Sequence, residues 1–277
     1  MSRQDVSAGR QGSDTAAAEP ASFDVTRAHP ARVYDYWLGG KDNYEADREA
    51  AQQVIEAIPN ILAGVRANRA FLRRAVQYLA GEAGIRQFLD IGTGLPTAEN
   101  THEVAQAIAP ESRIVYVDND PIVLAHARAL LTSTPEGATA YVDADARDTG
   151  TILEAAAGIL DFSQPIAVMS LLVLQYVPDE DRPHEIVSRL MDAVPSGSYL
   201  TISDTTTDID TERATNGTAR LNARLGPAQS TLRTREQIAR YFDGLELVEP
   251  GIVPMPQWRT LPNPLVIPVF AGMGRKP

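Results

Sequence analysis

A chain of 277 residues with 44% apolar content is long enough to bury one substantial core. Its 36 acidic residues against 25 Lys and Arg leave a formal charge of −11, which withholds the phosphate-neutralising term that nucleic-acid binding needs, so no polynucleotide partner is expected. The lack of cysteine excludes a disulfide framework, a thiolate-held metal and a thiol nucleophile; no metal site is expected, and no long apolar run marks a membrane span.

Residues 1–22 are rich in Ser, Gly, Ala, Gln and charge, have no apolar period, and read as a disordered tail. Met1–Ser7 carries no apolar segment, so a secretory signal is not expected and a cytoplasmic location is. Residues 23–80 are helical in pattern and are expected to form an amino-terminal cap. Tyr34, Tyr36, Trp37 and Tyr44 crowd its first part. Aromatic side chains combine contact area with polar tips, which makes Tyr34 and Trp37 candidates for the wall of a substrate pocket. Trp37 fits equally a helix that packs Val33, Trp37 and Leu38 onto a sheet domain. Gly39–Asn43 reads as a turn able to close over a ligand. Asn43 is placed to cap a helix with Glu45 and Asp47 in its first turn, and Pro59 ends it. The next helix sets Val65, Phe71, Leu72, Val76 and Leu79 in an apolar face, and its Arg66, Arg69, Arg73 and Arg74 read as a solvated face.

From residue 81 to residue 277 strands alternate with helices, then give way to two final strands. Phe88–Thr97 is an apolar run ending in Asp90, followed by Gly92 and Gly94, the pattern of a buried parallel strand turning tightly at its carboxyl end. Arg113–Asp118 is a second apolar strand ending in an acid, placed to take ribose hydroxyls. Asp120 and Pro121 then start a helix with Val123, Leu124, Ala127, Leu130 and Leu131 as its apolar stripe. A third strand, Ala138–Val142, leads into Asp145 and Ala146, suited to an adenine amino group and ring nitrogen. Two ligands compete for such a site, a dinucleotide or S-adenosylmethionine. Pro96 and Thr97 fit the third glycine of a dinucleotide loop poorly, whereas Asp90 suits an ammonium group. Asn100 with Glu103, and Thr234 with Gln237, are capping boxes.

These residues resemble the class I S-adenosylmethionine-dependent methyltransferases. Phe88–Gly94 is similar to their first motif, Asp118 to the ribose-binding acid, and Asp145–Ala146 to the adenine-binding pair. Pro165–Asp179 resembles the fourth strand and the loop lining the methyl-transfer site; Pro195–Asp204 resembles the fifth strand with its turn, Ser196 departing from a glycine. Pro30–Tyr44 is similar to a segment distinctive of a bacterial family of S-adenosyl methyltransferases with no assigned acceptor, and that likeness runs from Asp24 onward. The resemblance implies an α/β fold: a Rossmann-like, seven-stranded, mostly parallel sheet with helices on both faces and an antiparallel carboxyl-terminal hairpin over Leu245–Val253 and Leu265–Met273. It implies S-adenosylmethionine as cofactor, with Asp90, Gly92, Thr93, Gly94, Asp118, Asn119, Asp145, Ala146 and Leu172 as its binding residues. Tyr34, Trp37, His102 and Gln175 are the expected substrate-pocket residues.

The expected function is transfer of a methyl group to a small-molecule acceptor, neutral or cationic, on oxygen or nitrogen. The alternative is a non-catalytic sensor of S-adenosylmethionine or S-adenosylhomocysteine. No catalytic base is assigned. His126 and His184 read as surface or packing residues, His29 lies beside the aromatic segment, and His102 follows the glycine loop. Asp179 and Asp204 follow strand ends and are candidates for a carboxylate near the acceptor. The fourth strand is not followed by Asn-Pro-Pro-Tyr, a motif of many enzymes that methylate planar amino groups of nucleic acids.

Overall fold

Five apolar runs become the centre of one sheet. The computed structural model describes residues 24–96, 99–130, 132–262 and 264–277; the tail expected over residues 1–22 lies outside them, as does Thr97. The strands β1 (Gln87–Ile91), β2 (Arg113–Asp118), β3 (Ala138–Asp143), β4 (Ala167–Leu171) and β5 (Tyr199–Thr205) lie parallel in the order β3-β2-β1-β4-β5. Phe88 pairs with Ile114 on one side and Ala167 on the other. All of β1 is buried, as a strand covered on both faces requires.

Alternate residues feed two cores. Leu89, Ile91, Val115 and Val117 pack with Ile152 of α6 (Thr149–Ala156) and with Ile186 and Leu190 of α7 (Pro183–Ala193). Phe88, Ile114, Tyr116 and Met169 pack with Phe71 and Val76 of α3 (Ile61–Gln77) and Val104 of α4 (Thr101–Ile108). Chain order reverses between β1 and β4, so their carboxyl ends open a crevice where open α/β sheets take ligands.

A third core stands over that crevice. It joins Val33 and Trp37 of α1 (Pro30–Leu38), Ala50 and Val54 of α2 (Glu45–Ala57), Val65 of α3, and Leu221 of α8 (Thr211–Asn222). Asp47 anchors it. Its carboxylate takes the Nε of Arg32 at 2.9 Å and the backbone N–H groups of His29 and Tyr44 at 2.9 and 2.8 Å. Tyr44, not Asn43, therefore occupies the cap position of α2; Asn43 turns back and donates to Asp35 at 2.8 Å. After α5 (Pro121–Leu130) begins, Val123 and Leu124 are buried as expected, while the side chains of Ala127 and Leu130, and Leu131, lie outside the described residues.

The sheet has eight strands rather than seven. β8 (Val269–Arg275) runs antiparallel to β5, and its other edge carries two short pieces, β6 (Glu246–Leu247) and β7 (Val253–Pro254). One strand was expected over Leu245–Val253. Pro250 has no N–H for the ladder, and Gly251, at φ +80°, turns its N–H back to Val248 O, so the edge bulges between the two pieces. The final strand likewise starts at Val269, not Leu265; Ile267 and Pro268 face the crevice instead.

Arg32 and Asp47 are 4% and 0% exposed at the side chain. Asp47→Ala leaves that guanidinium buried without its partner, so it is expected to lower stability by about 3–5 kcal/mol, read as the shift in a denaturant midpoint.

Candidate functional site

The loop leaving β1 is shaped by two glycines. Gly92 has φ +70° and Gly94 φ +66°. A Cβ on Gly92 would lie 2.2 Å from Val173 Cγ2, whereas one on Gly94 would meet nothing within 4 Å. Asp118, at the end of β2, holds the loop down: its Oδ2 accepts the Gly94 N–H at 2.8 Å and its Oδ1 the Asp120 N–H at 2.9 Å. Thr93 Oγ1 points back to Asp90 O at 3.3 Å. Across the crevice the chain leaves β4 through Leu172, at φ +59°, whose N–H donates to Ser203 O at 2.9 Å.

The acids differ in their surroundings. Burial pushes Asp90 up to about 6, against the Thr101 hydroxyl, which donates to it at 2.6 Å, and the charge of Arg69. Burial also raises Asp118 above the usual carboxylate range, opposed by its two backbone amides. Asp145 goes the other way. Hydrogen bonds from Arg147 hold it below that range, and four donors meet it: Arg147 N, Nε and Nη2 and, at 3.1 Å, Asn119 Nδ2. Arg147 continues to Asp181 at 2.8 Å.

These groups line one cavity of about 630 Å³. Asp90, Gly92, Thr93, Gly94, Asp118, Asn119, Asp145, Ala146 and Leu172 all line it, and Tyr34, Trp37 and Gln175 are brought to it as well. His102 is not. The capped start of α4 turns it inward, where its N–H donates to the Tyr116 hydroxyl and its Nδ1 lies 2.8 Å from the same oxygen. Burial lowers its pKa. Nearness to the glycine loop in sequence did not disclose the face of the helix.

Other candidates find partners elsewhere. Asp179 and Asp204 clamp the fully buried Arg233, at 2.9 and 3.2 Å, and the same guanidinium donates to Leu174 O and Val177 O at 2.8 and 2.6 Å. Burial pushes Asp204 up to about 7 against that positive charge. The clamp fixes the loop after β4; it does not offer a carboxylate to the cavity. Gly39–Asn43 folds over Asp35 rather than over the crevice: the Asp42 N–H donates to Asp35 at 3.0 Å, and a Cβ on Gly40 would fall 1.9 Å from its Oδ1. His184 stacks on Tyr241, and His126 lies 3.4 Å from Asp42. His29 lines the cavity with its Nδ1 2.8 Å from Asp120 Oδ2.

Two wall elements were missed. Arg69 lines the cavity, donating to Glu99 O at 2.8 Å, although the arginine series of α3 reads as solvated. The signal was present: Arg69 follows Val65 by four residues and precedes Leu72 by three, on the buried face, while Arg66 and Arg73 are exposed. Asn68 on the same face links Ser203 Oγ at 2.9 Å to the Tyr34 hydroxyl at 3.2 Å. The second element is α8, whose Ala214, Gly217 and Leu221 complete the far wall. No helix among the described residues is long and apolar enough to cross a membrane.

A family model described as S-adenosyl methyltransferase matches residues 16–277. Among solved structures, a DUF574 family protein of Streptomyces avermitilis MA-4680 is 46% identical, with a TM-score of 0.88 over 92% of this chain and 99% of its own. A candidate methyltransferase of Thermobifida fusca YX is 41% identical, with a TM-score of 0.85 over 94% and 99%. The plantazolicin methyltransferase BpumL, crystallised with a triazolic desmethylPZN analogue and S-adenosylhomocysteine, is 11% identical with a TM-score of 0.51 over 89% and 96%, a likeness of fold. No curated protein sequence matches. The chain belongs to the S-adenosyl methyltransferase family, and its cofactor is S-adenosylmethionine.

Gly92→Ala is expected to cost roughly 1–3 kcal/mol in a denaturation experiment, because the new Cβ meets both Val173 and a left-handed backbone. Val173→Ala in the same chain should recover only the steric part.

Proposed function

We propose that this member of the S-adenosyl methyltransferase family methylates a small-molecule acceptor held in the same cavity as the cofactor. The observation that carries the reading is that one cavity joins the acid-bearing strand ends to a wall of apolar and aromatic helix residues. When bound, S-adenosylmethionine supplies an electrophilic methyl group on a sulfonium; the protein's share is alignment and exclusion of water.

Each residue at the strand ends has a part in that share. Asp90 and Arg69 offer opposite charges to the ammonium and carboxylate of the cofactor's amino-acid end. Gly94 leaves space where a side chain would stand. Asp118 spends one acceptor site of each oxygen on backbone amides and keeps the others for ribose hydroxyls. Asp145 has its acceptor sites filled, so an adenine amino group must replace a donor there. Arg147, 52% exposed at the side chain, is the one that turns outward at least cost. Ala146 and Leu172 flank the ring. The acidic chain supports a metabolite rather than a polynucleotide as acceptor.

The test is a radiolabelled methyl-transfer assay against pooled metabolites beside total RNA and DNA. Label is expected in the small-molecule fraction. Label in nucleic acid alone would overturn the reading, and tight cofactor binding with label in neither would make the protein a sensor.

Asp118→Ala should weaken S-adenosylhomocysteine binding by roughly 1.5–3 kcal/mol by calorimetry, since charge-assisted hydrogen bonds to ribose go. Affinity should also depend on pH. Asp90 attracts the ammonium only when ionised, so binding holds above about 6. It should then fall by up to about tenfold per unit as the pH drops further. Asp90→Asn should remove that slope along with most of the attraction.

A further inference from the structure

Beyond the strand ends the cavity changes character. Trp37, Val54, Ile58, Val65 and Leu221, all buried, form its helical half, and they belong to the third core rather than to either core under the sheet. Charges near this half are already engaged. Arg32 is held by Asp47 at 2.9 Å, and His29 by Asp120 at 2.8 Å. Asp24 accepts from Thr26 at 2.6 Å and lies 3.7 Å from Arg27 at the exposed rim. Arg69, one turn beyond Val65 on α3, also lines the cavity; it donates to Glu99 O at 2.8 Å and its charge is assigned above to the cofactor's carboxylate. With that cation taken by the cofactor, the residues just named leave no carboxylate for a cationic acceptor and no cation for an anionic one.

One polar group breaks the pattern. Gln175 follows β4, lines the cavity and is 6% exposed, and its Oε1 is buried without a hydrogen-bond partner among the described residues. Of the other cavity-lining residues, only His29 Nδ1 and Asp120 Oδ2 share that condition, and those two atoms face each other. An amide oxygen can only accept, and a buried acceptor carries a desolvation cost until a donor meets it. The Arg233 clamp on Leu174 O and Val177 O holds the turn that carries Gln175, so the amide is presented from a fixed backbone.

We infer that the helical half of the cavity binds the methyl acceptor, and that this acceptor is an uncharged, mostly apolar molecule presenting one O–H or N–H to Gln175. The inference rests on the proposed methyltransferase reading and narrows it: a cationic acceptor, open on sequence grounds, is disfavoured by the engaged charges. A buried ion would lose its hydration without a counter-charge, whereas a neutral apolar body gains from leaving water.

The experiment titrates the full chain, saturated with S-adenosylhomocysteine, with 1-naphthol, 1-methylnaphthalene, 1-naphthylmethylammonium and 1-naphthoate by calorimetry. 1-Naphthol is expected to bind about tenfold tighter than either ion. In Gln175→Leu its affinity should fall about fivefold to tenfold, to that of 1-methylnaphthalene. S-adenosylhomocysteine binding and the melting temperature should hold or rise, because the variant removes an unpaired acceptor. The inference is overturned if either ion binds as tightly as 1-naphthol. It is also overturned if Gln175→Leu keeps the preference for the hydroxyl while melting earlier, the mark of a structural amide. Failure of S-adenosylhomocysteine to bind would count against the cofactor sites alone; the naphthalene series repeated without it still decides the acceptor half.

Discussion

A carboxylate at the end of β2 holds the loop that leaves β1, and the cavity depends on that contact. A tight turn through two residues of positive φ exposes backbone N–H groups, and a buried strand end has no water to satisfy them. Asp118 meets the Gly94 and Asp120 amides together, so it fixes the glycine loop and the start of α5 with one side chain. Its charge then stands in a buried place that the fold accepts because two dipoles point at it. The same arrangement leaves an anionic acceptor facing the crevice at the reversal of strand order. In the proposed reading, structure and binding therefore draw on the same carboxylate, each oxygen already holding one backbone amide.

The other walls are braced by the same means at different places. Asp47 gathers the Arg32 guanidinium with two backbone amides and so ties residues 27–32, which line the cavity, to the start of α2. Arg233 does the converse, a buried cation collecting two carbonyls and two carboxylates to fix the turn after β4. Buried charges of this kind contribute little net stability against apolar replacements, yet removing one partner is costly. Their value here is placement. The apolar third core supplies the hydrophobic drive, and the charge clusters set where its helices stand relative to the sheet.

Much of this was legible because it is local. Strands buried on both faces announce themselves as apolar runs, and the acids at or after the ends of the first three, Asp90, Asp118 and Asp145, mark the crevice without knowledge of its neighbours. Arg69 was legible too, since the apolar stripe of α3 already assigned its face. Other features depend on partners far along the chain. Asp204 and Asp179 reach Arg233, and nothing near any of the three residues foretells the pairing. The α8 helix hides for a different reason: it buries Ala214, Gly217 and Leu221, and a Cβ on Gly217 would stand 2.4 Å from Ile58 Cδ1. Its buried positions keep the three- and four-residue spacing of a helix face, but two of the three are Ala and Gly, so little apolar signal marks the side that meets α2. The bulge at Glu249–Gly251 is intermediate: the apolar residues suggest one strand over Leu245–Val253, and Pro250 and Gly251, which break it into two pieces, are local signals that this reading passes over.

The two ends of the proposed cofactor site are unequally prepared. At the Asp90 and Asp118 end the acceptors keep free sites, the loop is already turned, and burial keeps water from competing. At the Asp145 end four donors already occupy the carboxylate, three of them from Arg147, whose guanidinium also spans to Asp181. A ligand that reaches both ends must exchange partners only at the second. That exchange is inexpensive, because Arg147 is half exposed and an exposed ion pair contributes about 0–1 kcal/mol. The guanidinium also regains water when it leaves. The arrangement therefore separates two tasks: a buried, fixed end that sets where the ligand sits, and a solvent-facing end whose ion pair yields as the ligand enters. An Arg147 held as deeply as Arg233 would make the same exchange cost several times more, and entry rather than alignment would then limit binding.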